Sequence, residues 1–244
     1  MPRSKGPAQP PAETGPAAAR HLPEATLVRL TQYLRALTEL RDAGRSRASS
    51  EVLAEAAGVN SAILRKDLSL LGSYGTRGVG YETEVLAQRI TECLGLTHEW
   101  RVSIIGAGNL GRALSGYGGF RNRGFTVVAL FDASPDLIGR DVNGLRVANV
   151  AFMEDVLTFT RTNMAVLAVP GPVAQELVDR VVRIGVRSIL SFAPVVLQVP
   201  EDVTLRKVDL ATELQILAYH AQQAGQTGQS RQAGQSGQAG LARP

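Results

Sequence analysis

The stretch Arg101-Val102-Ser103-Ile104-Ile105-Gly106-Ala107-Gly108-Asn109-Leu110-Gly111 decides the fold of this chain. Its first five residues read as a strand, Gly-x-Gly-x-x-Gly follows at once, and Arg112-Ala113-Leu114 opens a helix. In that context each glycine has a task. Gly106 permits a tight turn, Gly108 lets a pyrophosphate approach the backbone, and Gly111 lets the helix pack closely on the strand. Phosphate would meet free N–H groups at the helix start, so Gly106, Ala107, Gly108, Asn109, Leu110 and Gly111 are the expected phosphate-binding turn.

Downstream, a second strand, Thr126 to Phe131, ends in Asp132. An acidic side chain there accepts hydrogen bonds from both ribose hydroxyls and repels a 2′-phosphate, which points to NAD(H) over NADP(H). Further strands over Met164–Val169, Ser188–Ser191 and Val203–Val208, with a helix over Gln175–Ile184, complete an α/β pattern with a parallel sheet. Ligands bind at the carboxyl ends of such strands, which adds Val169, Pro170 and the run Phe192-Ala193-Pro194. A last helix over 210–221 carries Leu210, Leu214 and Leu217 beside Ile216 and Tyr219, apolar enough to be core or a dimer interface.

No catalyst stands out beside this turn. His21, His98 and His220 fall at the chain's margins and its joint, and Lys207, the only lysine after Lys66, lies in the final strand. One cysteine and three scattered histidines make no metal centre. A dinucleotide domain without an acid-base partner reads as a sensor rather than an enzyme.

Upstream, residues 21–95 read as short helices and a glycine-rich hairpin, joined to the second unit through 96–100. Pro23 suits a first helical turn, and Leu27, Leu30, Leu34 and Leu37 recur on one face until Ala43-Gly44. Ser49 or Ser50 can cap a second helix, which stops at Gly58, and Ser61 a third. In the third helix Leu64, Leu68 and Leu71 face the core. Ser61, Ala62, Arg65, Lys66 and Ser69 form a small, basic, hydroxyl-bearing surface near its start, which suits entry into a major groove. Gly72 to Tyr81 would form a wing of two short strands with Arg77 near the tip, in reach of a minor groove. Thr83 can cap a fourth helix, with Leu86, Ile90, Cys93 and Leu94 on its apolar face. The competing reading is a winged helix used for protein contacts.

The 244 residues, 44% hydrophobic with a formal net charge of +4, suit two modest globular units and lean weakly towards polyanionic partners. Residues 1–20 and 222–244, rich in Pro, Ala, Gly, Gln and Ser, read as solvated tails. The N-terminus has no apolar signal segment and no run is long enough for a membrane span, which together with the single cysteine predicts a cytoplasmic protein.

Taken together, Tyr33-Leu34-Arg35, Arg65-Lys66-Asp67-Leu68-Ser69, Gly75-Thr76-Arg77-Gly78-Val79-Gly80-Tyr81, Gly106 to Gly111, Phe131-Asp132, Phe192-Ala193-Pro194-Val195 and Val208-Asp209-Leu210 resemble the Rex family of redox-sensing transcriptional repressors. The resemblance covers about Leu22 to Tyr219. It implies a homodimer with a swapped C-terminal helix, which binds palindromic operator DNA when NADH is low and releases it as NADH rises, with NAD+ competing. Respiratory and NADH-reoxidation genes would be the targets. It implies that Lys66 and Arg77 touch DNA, and that Arg35, Tyr117 and the partner's Asp209 form a switch network beside the cofactor. Three departures stand out: Gly118 where Pro is usual, Ser191 where Asn is usual, and Leu210 where some members are aromatic. An NAD-dependent oxidoreductase with an accessory winged helix and a CoA- or acyl-adenylate-related module are the competing functions.

Overall fold

The computed structural model describes residues 22–72 and 80–223. The chain divides into two compact units that part between Thr97 and His98.

The first unit comprises α1 (Glu24–Asp42), β1 (Arg47–Ala48), α2 (Ser50–Ala56), α3 (Ser61–Leu71), β2 (Tyr81–Glu82) and α4 (Thr83–Cys93). Its core collects Leu30, Tyr33 and Leu37 from α1, Leu53 from α2, Leu64 and Leu68 from α3, and Leu86 and Ile90 from α4. Each large aliphatic side chain removed from water there contributes about 1.5–3 kcal/mol. Leu34 and Leu71 lie at the rim of this core, half-buried, and Leu27 is half-buried on α1. Cys93, expected to be packed, is exposed at the last residue of α4, and its neighbour Leu94 packs against the core instead. Partial burial still pushes its thiol pKa up.

Several local signals resolve differently from their expectation. Pro23 flanks α1 rather than entering its first turn. Of the two serines before α2, Ser49 is the cap, accepting from the Val52 N–H at 3.3 Å. Thr83 is no cap: it is the first helical residue of α4, and its hydroxyl donates instead to the Arg45 carbonyl at 2.9 Å. The strand after the glycine-rich segment pairs antiparallel with a strand far upstream, Ala48 opposite Tyr81 and Arg47 opposite Glu82. Arg77 and the expected wing tip lie outside the described residues, as do most of the two expected tails.

The second unit contains β3 (Trp100–Ile105), α5 (Asn109–Ser115), α6 (Gly118–Arg121), β4 (Phe125–Asp132), a small antiparallel pair β5 (Asp141–Val142) and β6 (Leu145–Arg146), β7 (Ala148–Asn149), a short 3₁₀ turn, α7 (Met153–Phe159), β8 (Met164–Leu167), α8 (Gly171–Arg183), β9 (Ser188–Ser191) and β10 (Thr204–Lys207). Residues 210–223 form a last helix, α9, two residues longer than read from sequence. Six strands form one parallel sheet in the order β10-β9-β8-β3-β4-β7. Ile105, Phe131 and Leu167 point into a layer shared with Met153 and Leu157 of α7 and Val178 and Val181 of α8. Their neighbours Ile104, Leu130 and Val166 point into a second buried layer. Burial on both faces is why Ile104-Ile105, Leu130-Phe131 and Val166-Leu167 read as adjacent apolar residues rather than as an alternation. The chain leaves β3 towards β4 on one side and later returns to β8 on the other. The β3–β8 boundary is therefore the switch point, where such sheets bind ligands.

Candidate functional site

In the first unit the candidate surface is the start of α3. Asn60, with extended backbone, caps this helix by accepting from the Ala62 N–H at 2.7 Å, so Ser61 is its first helical residue and not its cap. Ala62, Arg65, Lys66 and Ser69 are all exposed along one face. Ser69 Oγ donates back to the Lys66 carbonyl at 2.6 Å. Arg65 Nη1 donates to Ser50 Oγ at 2.9 Å and to Glu51 Oε1 at 3.1 Å, so the guanidinium is tied to the first turn of α2.

The opposite face of α3 holds a group that apolar periodicity overlooks. Asp67 is buried among leucines and accepts from Arg29 Nε at 2.6 Å, Arg29 Nη2 at 2.8 Å, the Tyr33 hydroxyl at 2.8 Å and Thr26 Oγ1 at 3.1 Å. Burial alone would raise the pKa of this carboxyl, but Arg29, Tyr33 and Thr26 hold it below its ordinary value. Burial and the neighbouring carboxylate push the Tyr33 phenol up, so it stays a donor. The signal was present as a polar residue at i+3 between Leu64 and Leu68. Arg35, on α1, is exposed and pairs with Glu39 at 2.9 Å.

In the second unit the glycine turn sits at the carboxyl edge of the sheet, beside the switch point. Gly106 has φ +102°, and its N–H donates to the Phe131 carbonyl at 2.8 Å. A Cβ here would lie 2.3 Å from the Ala168 carbonyl oxygen, so the turn packs against the end of β8. A Cβ on Gly111 would lie 1.8 Å from the Gly106 carbonyl oxygen. Gly108 differs: it is exposed, and a Cβ there would meet nothing within 4 Å. Gly106 thus seats the turn on the end of β8 and Gly111 closes it on its own backbone, while the middle glycine faces open space. Asn109 and Leu110 are exposed beside it.

Asp132 ends β4 and locks the turn. Its Oδ2 accepts from the Ala107 N–H at 2.7 Å and its Oδ1 from the Ser134 N–H at 2.8 Å. A carboxylate has about four acceptor sites, so each oxygen retains capacity for a further donor. Val169 is half-buried, with a methyl 3.0 Å from the Cβ position of Gly106, and Pro170 is the exposed residue that leads into α8. Phe192 follows β9 and is half-buried.

The two other expected switch residues of this unit have local partners. Tyr117 is exposed at the start of α6, its ring edge-on to Phe120 with centroids 5.2 Å apart. Asp209 accepts from the Ala211 and Thr212 N–H groups at 3.1 and 3.2 Å and caps α9, a function that its place before a helical run made readable. The Thr212 N–H bond and nearby Lys207 hold its carboxyl below the usual range. Among the described residues no helix is long and apolar enough to cross a membrane.

A family model described as a CoA binding domain matches residues 97–195, and one described as the N-terminus of putative DNA-binding proteins matches residues 21–69. The redox-sensing transcriptional repressor Rex of Streptomyces coelicolor is 55% identical over 205 residues, 84% of this chain and 80% of that protein. This chain belongs to the Rex family of redox-sensing transcriptional repressors. Rex of Desulfitobacterium hafniense is 46% identical over 82% of this chain and 95% of its own length. The crystal structure of RSP with β-NAD+ and operator DNA matches with a TM-score of 0.80 at 35% identity, covering 86% of this chain and 97% of that one. RSP with β-NADH matches with a TM-score of 0.76 at 34% identity, over 86% and 98% of the two chains. These Rex relatives are named as repressors and not as enzymes, which leaves the oxidoreductase reading without support.

Proposed function

We propose that this chain is a cytoplasmic, homodimeric Rex repressor that occupies palindromic operators when NADH is low and leaves them as NADH rises, with NAD+ competing for the same site. One observation carries the reading: a chain of this family joins an exposed Arg65–Lys66 surface on a capped helix to a glycine turn locked by Asp132 at a sheet's switch point. Ser61, Ala62, Arg65, Lys66 and Ser69, with Arg77, are assigned to DNA.

Gly106 to Gly111 and Asp132, with Val169 and Pro170, are assigned to the dinucleotide. The open side of Gly108 fits a pyrophosphate, and the spare acceptor sites of Asp132 fit a ribose diol. The dihydronicotinamide ring of NADH is neutral, whereas the nicotinamide ring of NAD+ is cationic. Val169, Pro170, Phe192 and Leu210 are the apolar groups assigned to favour the neutral ring, since burying an unpaired charge is costly. Arg35, Tyr117 and Asp209 are assigned to a switch between two subunits. NADH can displace DNA only through different affinities for two dimer shapes.

The test is a mobility shift on a palindromic operator at fixed salt, with NAD+ and NADH titrated in parallel. Release by NADH at concentrations where NAD+ is ineffective is the expected result. Binding of NADH with unchanged operator affinity overturns the coupling. Because the matching family model is described by CoA, CoA and NADPH belong in the same titration, and both are expected to bind more weakly than NADH.

A further inference from the structure

One of the cations assigned to DNA has an acid beside it. Arg65 Nη1 is 3.1 Å from Glu51 Oε1 and 2.9 Å from Ser50 Oγ, and Ser50 Oγ donates to that same carboxylate oxygen at 3.0 Å. The three groups form one closed arrangement on the first turn of α2, which Ser49 fixes as cap. The side chains of Arg65 and Glu51 are 50% and 67% exposed. A pair so open to water adds little to folding stability. On a surface meant for a polyanion it also has a cost, because a carboxylate among phosphates weakens general DNA affinity. Its effect on binding must therefore lie elsewhere.

Orientation is what the pair supplies. An exposed arginine samples many rotamers and finds phosphates in most of them. Held at one Nη by Glu51 and Ser50, the guanidinium keeps a single direction and its remaining N–H donors for a base edge. The Glu51 carboxyl is held below its ordinary pKa by its own backbone N–H, by Ser49 and by Ser50. Half-buried Tyr81 on β2 lies within electrostatic reach of both charges.

We propose that Glu51 is a specificity-determining positioning residue of operator recognition, which holds Arg65 for base reading and withholds it from phosphates. The proposal rests on the assignment of Arg65 to DNA made above.

The experiment uses full-length protein with Glu51→Gln, Arg65→Ala and both changes. Each is titrated with operator, with operators carrying single base-pair changes and with a non-specific duplex, over a range of salt. Arg65→Ala should lose discrimination at one base pair in each half-site. Glu51→Gln should lose about five-fold discrimination at that same pair and keep or gain affinity for the non-specific duplex. Its salt dependence should steepen by about 1.8 in log–log slope, the signature of one added phosphate contact in each of the two half-sites. In the Arg65→Ala background, Glu51→Gln should leave discrimination unchanged. Wild-type discrimination and slope in Glu51→Gln, with discrimination lost in Arg65→Ala, overturns the positioning role. Full operator affinity and discrimination in Arg65→Ala instead overturns the underlying assignment of Arg65.

Discussion

Arg29 grips Asp67 through Nε and Nη2, at 2.6 and 2.8 Å, and so fastens the inner face of α3 to α1. Asp67 is next in sequence to Lys66 and two residues from Arg65, so the contact that seats the helix also sets where its outer face points. Removing one member of a buried pair leaves the other uncompensated, which costs about 3–5 kcal/mol when both are fully buried. Arg29 is partly exposed, so Asp67→Ala should cost about 3 kcal/mol in urea unfolding of the first unit. Tyr33→Phe, which deletes one donor, should cost about 1 kcal/mol. An unchanged urea midpoint in Asp67→Ala would show that the clamp is dispensable.

The glycine turn separates packing from ligand approach. Gly111→Ala puts a methyl 1.8 Å from the Gly106 carbonyl oxygen, so the turn must shift, with a loss of about 3 kcal/mol in thermal stability as well as loss of dinucleotide binding. Gly108→Ala meets open space and should unfold like the parent while binding NADH at least 10-fold more weakly. Calorimetry of both variants checks the contrast. Equal destabilisation in the two would contradict it.

Asp132→Ala removes the acceptors proposed for the ribose diol. A hydrogen bond to a charged group contributes about 1.5–3 kcal/mol, so NADH affinity should fall by at least 10-fold. Operator binding in the absence of NADH should persist, and NADH should no longer release it at concentrations that act on the parent. Isothermal titration and a mobility shift on the same preparation read both effects.

Acid should weaken the second unit through Glu154. The paired hydrogen bonds from Arg180, at 2.6 and 2.7 Å, outweigh the effect of burial and bring the carboxyl from 4.5 down to about 2. A carboxyl depressed in the folded state stabilises it fully above the unfolded value and loses that contribution as pH falls through the folded one. The window is therefore pH 4.5 down to about 2. Glu154→Gln should lower the Tm of the second unit near neutrality, where the paired carboxylate contributes fully, and flatten its pH dependence between pH 4.5 and about 2, where variant and parent converge. A Tm slope identical to the parent's would remove Glu154 from the account.

Legibility in the sequence followed the range of the forces involved. The parallel sheet was readable because Ile104-Ile105 and Leu130-Phe131 are buried on both faces, which leaves adjacent apolar residues rather than an alternation. The glycine spacing was readable because it meets a local backbone demand. Asp67 was overlooked because its partners lie 34 to 41 residues away in sequence, so only the fold reveals that a charge belongs in that core. Ser61 is the expected cap of α3; its neighbour Asn60 is chemically alike, and the extended backbone at Asn60 makes it the cap instead. The pairing of β1 with β2 was likewise hidden, since nothing local to Tyr81 names Arg47 and Ala48 as its neighbours.

Helix α9 is exposed along its whole described length, with Leu210, Leu214 and Leu217 each more than 60% exposed. In the proposed dimer a second copy covers them, so part of each subunit's folding free energy exists only after association. The temperature at which the repressor melts then rises with the amount of protein present. Dilution alone, with no change in nucleotide, weakens the regulator, and a cell that makes too little of it loses structure and control together.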